Sequence, residues 1–492
     1  GEGSYGIEVA SKNYFGKSIK DLNIAEAAIM AAAIQSPEST NPYKSEESKN
    51  RLLDRQKVVL NKMLQLGFIT QEEFQIAKET NIEFKKSGDI TKVQSYFIDA
   101  VIEQVISDIM KKEDVNYQTA KKMIYTNGYK IYTTLDQNIQ NSIDLCYERS
   151  NLFVPDADGN LMQSAMVVID QKTGNVLGIK GGVGEKTSNL SLNRATQSYR
   201  QPGSCMKPLG AYGPAFEKGI LTPNSRLEDA PITIGKWSPK NYYDSFYGNV
   251  SVKDAIAKSM NTPAVRANQR VDKEFAFSFA KNAGLKSLLP EDKDASPLSL
   301  GGLTRGVTPL EMASAYATIA NGGMYNEPKF YTKLLNKNGE EYIVKNSEPK
   351  KAMKESTAYF LTTCLKAVVE PGGTAYGAVK VGNMGVAGKT GNTNDDYDQW
   401  FCGFTPHYTI ACWNGYDKNK SINRPYPYYS VRMFNMVMND ISINQEVKDF
   451  IKPASIVEVE ICKSSGLLPT EACRKDYRGS QVIKDWVDLD SI

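Results

Sequence analysis

Histidine is almost absent. The 492-residue chain holds one, His407, set after Pro406 among strand-like residues. A Ser-His-Asp catalyst would have to use that single residue, so the base for any nucleophile is expected to be Lys, Glu or Asp. Cys-x-x-Cys spacing is absent among the seven cysteines, which removes the usual zinc signatures, and no metal or other cofactor is called for. Cys462 and Cys473 flank a turn in Cys-Lys-Ser-Ser-Gly-Leu-Leu-Pro-Thr-Glu-Ala-Cys and are candidates for pairing. Cys146, Cys364, Cys402 and Cys412 read as small buried hydrophobes. Long apolar runs are lacking too. None reaches the roughly 18 residues a membrane span needs, so nothing here is expected to cross a bilayer. The chain opens at Gly1 with neither Met nor a signal pattern, and its true N-terminus is expected to be missing. Charge of one sign is missing as well: 59 Lys and Arg against 56 Asp and Glu leave +3, which gives nucleic acid little to bind. What remains, 41% hydrophobic and 23% charged, is ordinary globular composition for roughly two to four domains.

Residues 1–85 read as helical. Asn23 and Glu26 make a candidate capping box before Ile24–Ile34, Arg51–Leu66 repeats its apolar residues at helical spacing, and Thr70 with Glu73 starts a third helix. A helical stretch at 97–125 precedes a strand, Tyr129–Thr134, and Pro155–Gly159 marks a loop and a boundary. Ala165–Ile169 and Asn175–Ile179 form a hairpin signal. Helical segments follow, including 308–321. Strands are expected at 383–390, 399–414 and 455–461, with a helix at 429–440. Strands at both ends with helices between them predict an α+β domain built on an antiparallel sheet flanked by helices.

Three short motifs occur in order: Ser204-Cys-Met-Lys207, Ser259-Met-Asn261 and Lys389-Thr-Gly391. Each alone is weak, because SxxK recurs at Ser278–Lys281 and Ser347–Lys350, and KTG recurs at Lys172–Gly174. Context separates them. Ser204 follows Arg200-Gln-Pro-Gly203 and opens a helix expected to run to Lys218, with Pro208 in its first turn and Pro214 implying a kink or an earlier end. Ser278 sits in what looks like the packed face of a helix, and Ser347 in a polar stretch before Pro349. Lys172–Gly174 is the turn of the hairpin. Residues three apart share a helix face, so Lys207 can reach the Ser204 hydroxyl. The helix N-terminus, and a second cation at Lys389, both disfavour the ammonium form of Lys207 and leave it able to take a proton. The small residues around Lys389–Gly391 let a substrate backbone lie close. Two nucleotide motifs fail: a P-loop would need Gly where Asn383 stands, and no strand precedes the GxGxxG string at Gly1–Gly6.

At this point the chain resembles the class A penicillin-binding proteins. The likeness extends to Met166–Gly174, Arg200–Pro208, Gly306–Tyr316 and Asp398–Pro406, which look like that family's transpeptidase domain across 161–455. Gly6–Ser11, Tyr14–Lys17, Leu22–Ala28 and Gln35–Pro37 are similar to the end of its glycosyltransferase domain. The resemblance implies a penicillin-binding transpeptidase fold, related to the serine β-lactamases. It divides the chain into a mostly helical glycosyltransferase remnant at 1–85, a linker region at 86–160, the transpeptidase at 161–455 and an extension at 456–492. The earlier glycosyltransferase motifs and the N-terminal membrane anchor have no counterpart, so glycan polymerisation is expected to be absent. The setting implied is the extracytoplasmic face of a bacterial membrane.

Residue by residue, the resemblance implies that Ser204 attacks the D-alanyl-D-alanine carbonyl of a peptidoglycan stem peptide and Lys207 takes its proton. Ser259 relays a proton to the departing D-alanine, and Asn261 binds the substrate amide. Lys389 and Thr390, in the strand with Gly391, hold the terminal carboxylate. The backbone N–H groups of Ser204 and Asn392 form the oxyanion hole. β-Lactams mimic the substrate. One departure stands out: Thr usually follows KTG, and here Asn392 does, with Thr393 after it. Trp237 and Asn241 fall in a segment similar to the cleft-lining loop, with core packing the other reading for Trp237. The alternatives are a D,D-carboxypeptidase or β-lactamase, which would pass the acyl group to water, and a non-catalytic sensor of stem peptides or β-lactams.

Overall fold

The computed structural model describes residues 6–37, 39–85, 93–149, 152–153, 155, 158–346, 348–422 and 428–489. Residues 1–5, Asp156, Ala157 and Ser347, each named above, lie outside them. The chain divides into two compact units. One comprises Gly1–Gln94, Val105–Tyr129 and Asn336–Asn338, the other Ser95–Gln104, Lys130–Leu335 and Gly339–Ile492.

The first unit is helical, and its helices start where side chains cap them. Asn23 accepts from the Glu26 N–H at 2.8 Å while the Glu26 carboxylate accepts from the Asn23 N–H at 3.1 Å. Thr70 and Glu73 repeat the exchange, so two donors left over at each helix start are satisfied. Helix Ile24–Ala33 turns Ala25, Ala28, Ile29 and Ala32 inward against Leu52 and Leu60 of helix Glu46–Gln65. The expected helical stretch 97–125 is two helices, Tyr96–Glu113 and Tyr117–Thr126. Asp114 at φ 52° breaks the first, and the Asn116 side chain caps the second.

The second unit is built on a five-stranded antiparallel sheet. Its strands are β1 (Gln163–Asp170), β2 (Asn175–Lys180), β3 (Ala387–Asn392), β4 (Asp398–Phe404) and β5 (Thr409–Gly415), in the order β3-β4-β5-β1-β2. Helix Pro309–Ala320 packs on one face, and helices Gln137–Glu148 and Tyr429–Ser442 on the other. With both faces covered, β4 and β5 are buried at every position, which is why their sequences run apolar instead of alternating. The Lys172–Gly174 KTG is the β1–β2 turn, with Gly174 at φ 72°. The segment expected as one strand at 399–414 is the β4–β5 hairpin, turned at Thr405–Tyr408. The strand expected at 383–390 starts later and runs on to Asn392, because Gly382 and Met384 are spent in turns. Strand Val482–Asp488, which the sequence reading did not identify, pairs with Ile456–Cys462.

The helix expected from Ser204 to Lys218 is three short pieces: a 3₁₀ turn at Gly203–Met206, a π segment at Pro208–Tyr212 and an α turn at Gly213–Glu217. The two prolines explain this, since neither can donate to the carbonyl four residues back. The Ser204 carbonyl is taken instead by the Lys207 N–H. The Gly210 carbonyl, orphaned by Pro214, accepts from Asn268 Nδ2 at 2.8 Å. Gly210 also passes so close to the Leu298 carbonyl that an added Cβ would lie 2.0 Å from its oxygen. Ser278 lies on the exposed side of helix Lys273–Ala283, not on the packed face expected, because Phe277, Phe279 and Ala280 take the buried positions.

Helix Val252–Ala257 ends at Ser259, which adopts φ 54° while the Met260 N–H closes on the Ala255 carbonyl at 2.9 Å. That left-handed position normally belongs to glycine. Ser259→Gly is therefore expected to unfold later in denaturant than Ser259→Ala, by about 1 kcal/mol; equal stabilities would show the backbone there is unstrained.

Candidate active site

The turn that carries Ser204 is fixed residue by residue. Arg200 pairs with Asp398 at 2.7 Å, both side chains nearly buried, and Trp413 Nε1 donates to the same carboxylate at 2.8 Å. The Gln201 carbonyl accepts from Trp400 Nε1 at 2.8 Å, and the Gln201 amide exchanges two 2.6 Å bonds with the Leu303 backbone. Tyr316 OH donates to the Cys205 carbonyl at 2.9 Å. Gly203 sits at φ 51°, and a Cβ on it would lie 2.4 Å from the Asn392 carbonyl oxygen. A Cβ on Gly391 would lie 2.5 Å from the Pro202 carbonyl oxygen. The serine turn therefore lies directly against β3, and the backbones of Ser204 and Asn392 are neighbours. Ser204 Oγ bonds no other described residue and lines a cleft of about 940 Å³.

At the foot of that cleft two lysines converge on one hydroxyl. Lys207 and Lys389 are both fully buried, and among the described residues neither pairs with a carboxylate. Lys389 Nζ donates to Ser259 Oγ at 2.8 Å and to the Thr390 carbonyl at 3.0 Å. Lys207 Nζ donates to the Ser259 carbonyl and to Asn261 Oδ1, each at 2.6 Å, and lies 3.3 Å from Ser259 Oγ. A neutral amine has two hydrogens for the two acceptors and one lone pair left over. Burial, first, and the Lys389 charge, second, hold the Lys207 amine well below its ordinary range. Burial brings Lys389 down to about 8. Exclusion from water thus outweighs the helix terminus and the second cation as the cause of a neutral Lys207. Its bonds go to Ser259 and Asn261 and not to the expected partner, Ser204.

The residues after Lys389 divide. Thr390 lines the cleft and shares a 2.8 Å hydroxyl contact with Thr374. Gly391 turns its Cα toward the serine turn: the space a side chain would need is filled by Pro202 and Cys205, so only glycine fits there. Asn392 and Thr393 reach the cleft wall. Asn392 Nδ2 donates to Asp396, which engages the amide expected to replace the missing Thr hydroxyl. Thr393 Oγ1 accepts from the Asp398 N–H at 2.9 Å.

Trp237 is half-buried on the cleft wall, its backbone bridged to Ile234 at 2.8 and 3.0 Å, so core packing does not describe it. Asn241 borders the cleft, but its side chain is engaged by Asn261 and Asp229. Its Oδ1 accepts from the Asn261 N–H at 2.8 Å and its Nδ2 donates to Asp229 at 2.7 Å. It thereby caps helix Asn261–Gln269, whose own N-cap, Met260, offers no side-chain bond. Asp229 was not foreseen. It is fully buried and also accepts from Thr262, Tyr243 and the Tyr247 N–H at 2.6–2.9 Å. Tyr242, Tyr376, Tyr428 and the Gly372–Thr374 turn also line the cleft unannounced; only Pro371-Gly-Gly-Thr carried a turn signal. His407 faces the Glu446 carbonyl at 2.8 Å in the β4–β5 turn. Cys462 and Cys473 are free thiols and form no disulfide here, and the four cysteines read as buried hydrophobes are buried and free.

The family "Penicillin binding protein transpeptidase domain" matches residues 164–422, "Transglycosylase" matches 1–64, and "Penicillin-binding protein 1A, C-terminal domain" matches 452–487. Penicillin-binding protein 1A of Clostridium botulinum (strain Hall) is 33% identical across 99% of this chain and 61% of its own length. Penicillin-binding protein 1F of Bacillus subtilis is 33% identical across 97% and 64%. Penicillin-binding protein 1A of Clostridium perfringens (strain 13) is 32% identical across 88% and 68%. The chain thus spans 61–68% of the length of these relatives. Among solved structures, penicillin-binding protein 1A of Haemophilus influenzae overlays with a TM-score of 0.71 at 22% identity, over 99% of this chain and 89% of that one. PonA1 of Mycobacterium tuberculosis, solved in complex with penicillin V, gives 0.63 at 22% identity, over 76% of this chain and 99% of that one. The expected penicillin-binding transpeptidase fold is the fold observed, and the chain belongs to the class A penicillin-binding proteins.

Proposed function

We propose that this chain is a D,D-transpeptidase that crosslinks peptidoglycan stem peptides through an acyl-Ser204 intermediate. The observation that carries the reading is the pair of water-excluded amines on Ser259, at the foot of the cleft into which the Ser204 hydroxyl opens. Ser204 Oγ attacks the D-alanyl-D-alanine carbonyl as its proton passes to the Lys207 lone pair. The oxyanion is met by the N–H groups of Ser204 and Asn392, whose backbones are adjacent. Lys389, charged, and Thr390 hold the terminal carboxylate, while Asn261 and Thr393 meet the peptide and Trp237 walls the cleft. Ser259, bonded to both amines, carries the proton on to the departing D-alanine. An amine of a second stem peptide then attacks the ester, and the crosslink forms. Asn241 serves as a positioning residue through its hold on Asn261. A β-lactam carbonyl enters the same path and leaves Ser204 acylated. Such a substrate sits on the extracytoplasmic face of the membrane. Among the described residues, no Asp or Glu lines the cleft. A β-lactamase or carboxypeptidase that drives water with a carboxylate finds no such base there, which favours transfer over hydrolysis.

Fluorescent penicillin is expected to label the protein covalently, Ser204→Ala not at all, and Lys207→Met about 10²–10⁴-fold more slowly, the range for loss of a general base. Labelling of Ser204→Ala would move the nucleophile elsewhere, an unlabelled wild type would favour a sensor, and rapid turnover of a reporter β-lactam would favour a hydrolase.

The pH profile carries a sign. Carboxylate capture needs Lys389 charged, and proton uptake needs Lys207 neutral. The second-order acylation rate is expected to fall as pH rises through about 8, and to fall on the acid side where Lys207 becomes protonated. Stopped-flow acylation checks this; a rate that climbs steadily to about pH 10, as for an unperturbed lysine, would contradict it.

A further inference from the structure

Far along the chain a second chemical cluster stands apart from the cleft residues. Strand Ile456–Cys462 pairs with Val482–Asp488, and Cys462 lies opposite Val482. The segment between them folds back on the strand ends. The Cys462 N–H donates to the Leu467 carbonyl at 2.7 Å and the Gly466 N–H to the Cys462 carbonyl at 2.8 Å. Gln481 ties the two cysteine-bearing pieces together: it accepts from the Lys463 N–H at 2.7 Å and donates to the Cys473 carbonyl at 2.8 Å. Cys473, in the short helix Glu471–Arg474, is thereby tied beside the strand end that carries Cys462, with Thr470 Oγ1 3.4 Å from its own sulfur.

We infer that Cys462 and Cys473 form a redox-modification site, a dithiol that closes to an intramolecular disulfide when it meets a small-molecule disulfide. Cys473 is half-exposed, whereas Cys462 is buried, with only 6% of its surface exposed. The Cys473 thiolate attacks one sulfur of the oxidant, forming a mixed disulfide and releasing one small-molecule thiolate. Cys462 sulfur then attacks Cys473 Sγ, the Cys462–Cys473 bond forms, and the second small-molecule thiolate leaves. The two protein thiol protons end on the two released thiols, and the oxidant has taken the two electrons.

Cys462 is suited to the second step. The Ser465 hydroxyl, then the Ser465 N–H, the Cys473 thiol and the Ser464 N–H, lower its thiol to about 7. The cysteines in the folded core go the other way: burial pushes Cys146 up to about 12 and raises Cys364, Cys402 and Cys412 as well, so they stay protonated and inert. The hairpin that carries this loop is also a docking element. Asn249 Nδ2 donates to the Ser464 carbonyl at 3.0 Å, and Asp485 accepts from Thr222 and Asn224, each at 2.8 Å. Closure would therefore fix the hairpin where it meets the strand that leads to Ser259.

The full chain, incubated with oxidised glutathione and digested without reductant, tests this. Mass spectrometry of the wild type is expected to find the 462 and 473 peptides joined with the loss of two hydrogens, and separated again by reductant. Cys462→Ala is expected to stall with one glutathione on Cys473, and Cys473→Ala to leave Cys462 unmodified. Glutathione that persists on the wild type, two thiols that remain alkylatable, or linkage to any other cysteine would overturn the proposal.

Discussion

The second unit is organised around the burial of two amines. Lys207 and Lys389 are wholly excluded from water, converge on the single hydroxyl of Ser259, and have no carboxylate among the described residues to balance them. An ammonium ion in such a place is expensive, by several kcal/mol, and the molecule meets that expense by lowering its affinity for protons. For Lys389 the drop from 10.5 to about 8 corresponds to about 3 kcal/mol. The sign follows from linkage. Below about pH 8 both the folded and unfolded forms carry the proton and the penalty is present in full; it is relieved as pH rises from about 8 to 10.5, where only the unfolded chain still binds it. Stability is surrendered at neutral pH, and a proton acceptor at lysine's position is the return.

An unstable arrangement of this sort needs a rigid surround. The serine turn has one on every side: a nearly buried Arg200–Asp398 pair, Trp400 and Leu303 on Gln201, and two glycines, Gly203 and Gly391, that let the turn and β3 touch backbone to backbone. Ser259 is held in a left-handed conformation that aims its hydroxyl between the lysines. Asn261 is held from below by Asn241, which Asp229 anchors in turn. The irregular helix after Ser204 belongs to the same surround. Its prolines break the regular ladder, and its loose carbonyl is recovered by Asn268 from helix Asn261–Gln269, so the pieces carrying Ser204 and Asn261 are bonded to each other.

The sequence made the local parts of this legible. The capping boxes, the β1–β2 hairpin and helix Pro309–Ala320 follow from residues a few positions apart, and each forms where those residues stand. The three motifs were identifiable for the same reason. What did not show was anything decided across the fold. The need for glycine at position 391 comes from Pro202, which packs against it and is distant in sequence. Asp229 gave no sign, since a lone Asp is distinctive only once four donors from Asn241 to Thr262 have folded around it. Ser278 was misplaced because its aromatic neighbours could have faced either way round one helix turn. The charge state of Lys207 was anticipated in direction, but its chief cause is burial, which no short pattern records.

That charge state is where the account is most exposed. With lysine labelled by ¹³C at Cε in the full chain, and the Lys207 signal assigned by its loss in Lys207→Met, a pH titration reads the amine directly. The account predicts a neutral amine at about pH 7, with a midpoint far below the ordinary lysine value near 10.4. A Lys207 resonance that keeps its ammonium shift up to about pH 10 would contradict it.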